Sequence, residues 1–109
     1  MEPGIGSSEQ LSLLISRTRS STASERANAI RLLVKMGSEA MSAWPGIVSL
    51  AGDESYLVRL MVAWAIGHMI PLPSDALQAL RALLNDPHPT VQAVAKGALH
   101  DLIAKGTRG

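Results

Sequence analysis

The chain has 109 residues, of which 47% are apolar, 17% are charged and only 3% are aromatic, and it contains no cysteine. This length suits one domain with an aliphatic core, and the missing cysteines exclude disulfides, thiolate zinc sites and cysteine nucleophiles. The formal net charge of +1 gives no overall field that would favour nucleic acid or an anionic membrane as a partner.

The first predicted hairpin follows an N-terminal tail, residues 1–7, which lacks the basic and apolar regions of a signal peptide and is expected to be disordered. Helices are predicted over Ser8–Arg19 and Ala23–Met36, each opened by a capping box in which a hydroxyl side chain precedes Glu or Gln by three residues. The two boxes are Ser7 with Gln10 and Thr22 with Glu25. Gly37 is expected to end the second helix, because glycine readily adopts the left-handed conformation.

The second predicted hairpin has an outer helix with Pro45 in its first turn, where a missing backbone donor costs little. Its inner helix is predicted over Ser55–Ile70 and is apolar nearly all round, as expected for a helix covered on both sides. The segment Pro71-Leu72-Pro73 must stop this helix. The apolar run Leu60–Leu72 is shorter than the roughly 20 residues that a membrane-spanning helix needs.

The third predicted hairpin begins with Ser74 as the cap of an outer helix over Asp75–Asn85. The turn at residues 86–89 ends that helix, and the last helix is predicted to start at Thr90 and to leave residues 106–109 as a flexible tail. The first and the last helix carry more polar side chains than the middle inner helix, so each has a polar side that suits solvent. Both ends of the stack are therefore expected to be capped.

Apolar and turn residues recur along the chain with a period of 33 residues. The matched pairs are Asp53 and Asp86, Val58 and Val91, Ala65 and Ala98, Ile66 and Leu99, and Met69 and Leu102. Helical hairpins that repeat at such a period bury a shared core by stacking. The pattern predicts an all-α fold, an α-solenoid of three stacked helical hairpins that forms one domain over residues 8–105, with repeats at about 8–37, 38–71 and 72–105.

Residues 37–67 resemble a HEAT repeat, particularly the short bacterial kind first associated with phycobilisome lyase subunits. The matching positions are Gly37, Ala40, Pro45, Leu50, Asp53, Val58, Arg59, Ala63, Ala65, Ile66 and Gly67. The third copy has Gln92 at the arginine position and His100 at the glycine position, whereas the first copy keeps Arg26 but has Ser20 in place of the turn aspartate. The resemblance covers nearly the whole predicted domain.

This resemblance implies structural roles for Asp53, Asp86 and Arg59, because in such families the turn aspartate and the helix arginine usually bond turns and pair adjacent repeats. It also implies that protein binding is the usual activity. Some members bind nucleic acid, and others assist enzymes such as chromophore lyases.

The sequence contains no pattern that predicts catalysis, a cofactor site or a metal site. His68 and His100 occupy nearly equivalent places on successive inner helices and could face each other, but no third ligand is fixed beside them. There is no nucleophile elbow, and Gly4-Ile5-Gly6 is not preceded by a strand, as a nucleotide-binding loop would be. We therefore expect no catalytic residues, no cofactor and no metal, and a chain that is not an enzyme.

The leading hypothesis is a scaffold that binds another protein along the ridge of its inner helices. Leu60 and Trp64 lie one helical turn apart and off the core stripe, so they are expected to line a groove, although packing between inner helices is an equally plausible role for Trp64. Trp44 replaces leucine at a core position and is interpreted as packing. The candidate partner-binding residues are Arg26, Arg31, Lys35, Leu60, Trp64, His68, Gln92, Lys96 and His100.

Two alternatives to this hypothesis stay open, a solenoid that binds nucleic acid and, suggested by the resemblance alone, an accessory subunit of an enzyme such as a chromophore lyase. The first repeat has an excess of basic residues that could attract nucleic acid, namely Arg17, Arg19, Arg26, Arg31 and Lys35. Homo-oligomers are also possible, since apolar surface left on so short a stack would favour self-association. We expect a cytoplasmic protein that does not bind membranes.

Overall fold

The computed structural model describes residues 7–106, with Ser7 described by its backbone alone. All regular structure in this range is helical. The α-helices are α1 (Ser7–Arg17), α2 (Ala23–Lys35), α3 (Trp44–Val48), α4 (Tyr56–Ile66), α5 (Ser74–Leu83) and α6 (Pro89–Gly106). Short 3-10 helices, Gly37–Ala43 and Ser49–Gly52, flank α3 on both sides.

The helices pair into three hairpins, α1 with α2, α3 with α4, and α5 with α6. The inner helices form one layer in which α4 contacts both α2 and α6, and the outer helices α3 and α5 contact each other behind it. This arrangement confirms the predicted all-α solenoid of three stacked hairpins.

The core runs continuously through the three hairpins because equivalent positions are buried in each inner helix. Val58 and Val91, at the starts of α4 and α6, are both 0% exposed. One turn later Ala29, Val62 and Ala95 are buried in α2, α4 and α6. Repeated burial of these aliphatic side chains stabilises the stack, at about 1.5–3 kcal/mol for each large one that leaves water.

The outer layer confirms two sequence predictions. Trp44 is 8% exposed and packs in the core next to Ile47, which agrees with the packing role expected for it. Pro45 lies in the first turn of α3. However, α3 spans only five residues, so most of this outer segment is 3-10 helix.

Helix ends agree with the predictions at some positions and differ at others. Gly37 has a φ of +67° and follows the end of α2, as predicted. The predicted inner helix over Ser55–Ile70 ends earlier, at Ile66, because Gly67, His68 and Met69 form tighter hydrogen bonds to the residue three positions back. The helices α1 and α5 also end about two residues before their predicted limits.

The side-chain bonds predicted for the N-terminal caps do not form where those side chains are described, although Thr22 does hold the N-cap position of α2. Thr22 precedes α2 but makes no side-chain capping bond, and the Glu25 carboxylate instead accepts a hydrogen bond from the Ser20 hydroxyl. Ser74 lies inside α5, which is preceded by Pro73. The side chain of Ser7, half of the other predicted capping box, lies outside the described residues. The predicted tails span residues 1–7 and 106–109, but Ser7 begins α1 and Gly106 ends α6, and residues 1–6 and 107–109 lie outside the described range.

Candidate partner-binding face

Two arginine–aspartate pairs join successive hairpins. Arg26 on α2 donates from Nε and Nη2 to the two carboxylate oxygens of Asp53, with both distances 2.9 Å. Arg59 on α4 donates in the same way to Asp86, at 2.7 and 3.2 Å. In both pairs the aspartate lies 27 residues after the arginine, in the turn before the next inner helix. The structure thus gives these residues the inter-repeat role that the sequence resemblance implied.

Each arginine also binds the turn of its own hairpin. Nη1 of Arg26 donates to the Ser20 carbonyl, and Nη1 of Arg59 donates to the Asp53 carbonyl, both at 2.8 Å. Each aspartate in turn accepts a hydrogen bond from a backbone N–H two residues later, that of Ser55 or of His88. One guanidinium therefore fixes two turns, and these bonds hold the inner helices at a set distance.

The electrostatics of the two aspartates follow from these contacts. The hydrogen bonds from Arg59 lower the pKa of Asp86, and the His88 N–H adds to the effect although burial opposes it. Burial would raise the pKa of Asp53, but the bonds from Arg26 and from the Ser55 N–H outweigh it and lower that pKa as well. Both carboxylates are therefore held in the charged form.

The pairing stops at Ser20 in the first hairpin and at Gln92 in the third. Gln92 Nε2 donates to the Asp86 carbonyl at 2.5 Å. This bond is equivalent to the one that Arg26 and Arg59 each make to the turn of their own hairpin. Among the described residues, Gln92 has no bond equivalent to the one that each arginine makes to the aspartate of the next hairpin. Ser20 accepts a hydrogen bond from the Thr22 N–H, as the aspartates do from their own turns, but it has no carboxylate. Both residues keep the local bond and lack the inter-repeat bond.

Two of the candidate partner-binding residues are engaged within the stack. The Arg26 side chain is only 10% exposed and is bonded to Asp53. The Gln92 side chain is bonded to its own turn. Sequence position alone grouped them with the surface residues because both belong to inner helices.

Lys96 and His100 lie on the edge of α6 that faces away from α4. In the 33-residue register they correspond to Ala63 and Gly67, which α4 buries toward α6. A Cβ built on Gly67 would lie only 3.1 Å from the Ala98 Cβ of the next inner helix. Where another hairpin stacks against this edge of an inner helix, the edge therefore has room only for very small residues. In α6 the same edge carries exposed lysine and histidine side chains, which are too large for such stacking.

The remaining candidates share another surface, which we call the groove face. It consists of the residues that line two clefts, one between α2 and α4 and one between α4 and α6. It also includes the residues at the equivalent positions of the neighbouring repeat, which are 33 residues earlier or later in the chain. From α2 it includes Arg31 and Lys35. The position of Arg31 is taken by Trp64 in the second hairpin and by Gly97 in the third. The position of Lys35 is taken by His68 and then by Asp101. Of the nine candidates, it holds Arg31, Lys35, Leu60, Trp64 and His68.

The first cleft, between α2 and α4, has a volume of about 260 Å³ and a mostly apolar α4 wall. That wall consists of Leu57, Leu60 and Met61, and Leu57 is 46% exposed. The α2 wall consists of Ser24, Ala27, Asn28 and Arg31. Arg31 lies at the rim and donates from Nη2 to the Asn28 Oδ1 at 2.7 Å.

The second cleft, between α4 and α6, has a volume of about 390 Å³ and contains Trp64, His68, Gly97 and Asp101 in its lining. The rings of Trp64 and His68 meet edge to face with centroids 4.7 Å apart. Gly97 leaves open space beside Trp64, since no atom lies within 4 Å of the place its Cβ would take. Trp64 is half-buried, so it both packs on the stack and lines the cleft.

Sequence reasoning missed several residues of the groove face. Leu57, Met61 and Asp101 line the clefts but were not among the candidates. The signal that identifies the two on α4 is helical spacing, because Leu57 lies three residues before Leu60 and Met61 lies three residues before Trp64, which puts all four on one side of the helix.

The structure does not bring His68 and His100 together. His68 corresponds to Asp101 in the register, and His100 corresponds to Gly67, so the two histidines are one position out of step and point to different sides of their helices. Within residues 7–106, no three His, Asp or Glu side chains are grouped closely enough to hold a metal ion. The expectation that these histidines could face each other is wrong.

Comparison with models of known families matches residues 11–100 to HEAT repeats. The chain belongs to the HEAT-repeat family. A search of curated proteins finds no match. As a HEAT-repeat protein it is of a class that typically binds other proteins and is generally non-catalytic. None of the helices between residues 7 and 106 combines the length and the apolar character needed to cross a bilayer.

Proposed function

We propose that this HEAT-repeat protein is a non-catalytic module that holds a protein partner on its groove face. The observation that carries the proposal is the set of large apolar side chains that α4 leaves accessible there, Leu57, Leu60, Met61 and Trp64. Their burial by a partner would supply binding energy, and tryptophan at the centre of an interface is a frequent hot spot.

The rigidity of the stack supports the same proposal. The two Arg–Asp pairs fix α2, α4 and α6 relative to one another before any partner arrives. A preorganised surface loses little conformational entropy on binding, so more of the contact energy appears as affinity. The mechanism is shape and charge complementarity, with no chemical step.

The nucleic-acid hypothesis loses support because the basic residues of the first repeat do not gather on one surface. Arg26 is neutralised by Asp53. Arg19 lines a cavity between α1 and the α3 segment, whereas Arg31 lies at the cleft between α2 and α4. Nucleic-acid affinity needs many cations along one surface.

The experiment is affinity capture from the source cells with the full chain and with matched variants of it. We expect a protein retained by wild type to be lost from Trp64→Ala and from Leu57→Ser. Ile103→Ser is the control, because Ile103 is 57% exposed but lines neither cleft. The proposal fails if the captured protein binds both groove variants as tightly as wild type, or is lost equally from Ile103→Ser.

A further inference from the structure

We infer that the partner presents an acidic segment with a large apolar side chain beside the carboxylate, and that this segment occupies the cleft between α2 and α4. The inference rests on the proposed function and specifies the partner's chemistry. The apolar side chain would lie on Leu57, Leu60 and Met61, and the carboxylate would bind Arg31 at the rim.

The apolar half of the inference comes from the α4 wall of this cleft. Nearly half of Leu57 is exposed, and Leu60 and Met61 are half-buried beside it. Across the cleft Ala27 and Ser24 are small, so they leave room for an incoming side chain. Met61 is unbranched and adapts its shape readily to what packs on it.

The acidic half comes from Arg31 and Lys35, which are both exposed on the groove face. Arg26 and Arg59 bind carboxylates within the stack, but between residues 7 and 106 neither Arg31 nor Lys35 forms an ion pair. The contact given for Arg31 is the neutral Asn28 amide oxygen, which orients the guanidinium from its own helix. A guanidinium at the rim of an apolar cleft suits a carboxylate, which it can bind through two parallel hydrogen bonds.

The charge around the cleft supports this assignment. Its lining contains no Asp or Glu that would compete for Arg31. The second cleft differs, because Asp101 lines it and Lys105 reaches the Gly67 carbonyl at its end, so opposite charges offset each other there. The groove face is therefore positive at α2, and the acidic residue of the partner belongs at that end.

The test uses a phage library of random 16-residue peptides selected on the full-length chain. We expect the enriched peptides to place Asp or Glu next to Leu, Met, Phe or Trp. A synthetic enriched peptide should bind Arg31→Glu and Leu57→Ser at least tenfold more weakly than wild type, with Kd measured by fluorescence anisotropy. Arg81→Glu is the matched control, since Arg81 is exposed on the outer helix α5 and should leave the Kd unchanged.

The outcomes separate this inference from the proposed function. Peptides that lose affinity with Leu57→Ser or Trp64→Ala but carry no acid and ignore Arg31→Glu would overturn the inference alone. A selection without enrichment, or peptides insensitive to all three variants, would contradict the proposed function too. Binding of a 20-nucleotide DNA that is lost in Arg31→Glu, with no acidic peptide enriched, would assign the cations to phosphate and overturn the inference.

Discussion

Arg59 binds two aspartates of successive turns at once, the carboxylate of Asp86 and the backbone carbonyl of Asp53. Because the Asp53 carboxylate also accepts the two bonds from Arg26, the hydrogen bonds form an unbroken chain through the three hairpins. The chain continues from the Asp86 carbonyl to the Gln92 side chain, where it stops. The links alternate between two kinds, a bond from an inner helix to the turn before the next inner helix and a bond from that next helix to the same turn.

The first prediction concerns the middle link of this chain. Arg59→Gln should keep a bond to the local turn, as Gln92 does, but it leaves the Asp86 carboxylate buried without its charged partner. We expect the free energy of unfolding to fall by about 2 kcal/mol, the usual scale for hydrogen bonds to charged groups. Urea denaturation measures this change. Arg81→Gln on the exposed face of α5 should shift it by less than about 0.5 kcal/mol, and equal effects of the two variants would contradict the structural role.

The second prediction concerns acid. The pKa of Asp86 is lower in the folded state than in the unfolded chain, so its contribution to stability is complete above about pH 4 and is lost as pH falls through the folded-state pKa. Asp86→Asn should therefore be less stable than wild type at pH 6, and the difference should shrink as the pH falls from about 4 toward 2. Thermal unfolding followed by circular dichroism over this range gives the comparison. A difference that stays constant with pH would show that the Asp86 charge adds nothing.

The third prediction uses the same substitution at two glycines. Gly67→Ala places a methyl group 3.1 Å from the Ala98 Cβ and 3.3 Å from its Cα. Because that contact joins two packed helices, we expect a loss of about 1 kcal/mol or more. Gly97→Ala meets no atom within 4 Å and lies inside α6, so it should stabilise the protein by about 0.5–1 kcal/mol. Differential scanning calorimetry should give Tm shifts of opposite sign, and shifts of the same sign would mean that the close contact between α4 and α6 is wrong.

The fourth prediction separates the two tryptophans. Trp44 is buried in the core, so Trp44→Ala should lower the free energy of unfolding by about 3–5 kcal/mol. Trp64 is half-buried on the groove face, so Trp64→Ala should cost less than half as much while still abolishing partner binding. Guanidinium denaturation of both variants measures the stabilities. A loss for Trp64→Ala as large as that for Trp44→Ala would place Trp64 in the core and remove it from the groove face.

The sequence by itself determined the helical hairpins, their order and most of the core. These features follow from local patterns, since apolar spacing decides which side of a helix is buried and proline and glycine mark where helices end. The 33-residue register also indicated that Val58 and Val91 share one kind of environment. It identified Trp44 as a packing residue for the same reason, because its position repeats a leucine position of the other hairpins.

Only the tertiary structure decided what each polar residue of the inner helices does. Arg26 and Arg31 are five residues apart on α2, yet Arg26 is buried against an aspartate 27 residues away, whereas Arg31 is exposed at the rim of a cleft. A step of one residue turns a side chain by about 100°, and the neighbouring hairpin then determines whether it meets a carboxylate, a packed helix or open space. The same dependence on neighbours puts His68 in a cleft and His100 on the outer edge of α6, which no pattern within a single helix could distinguish.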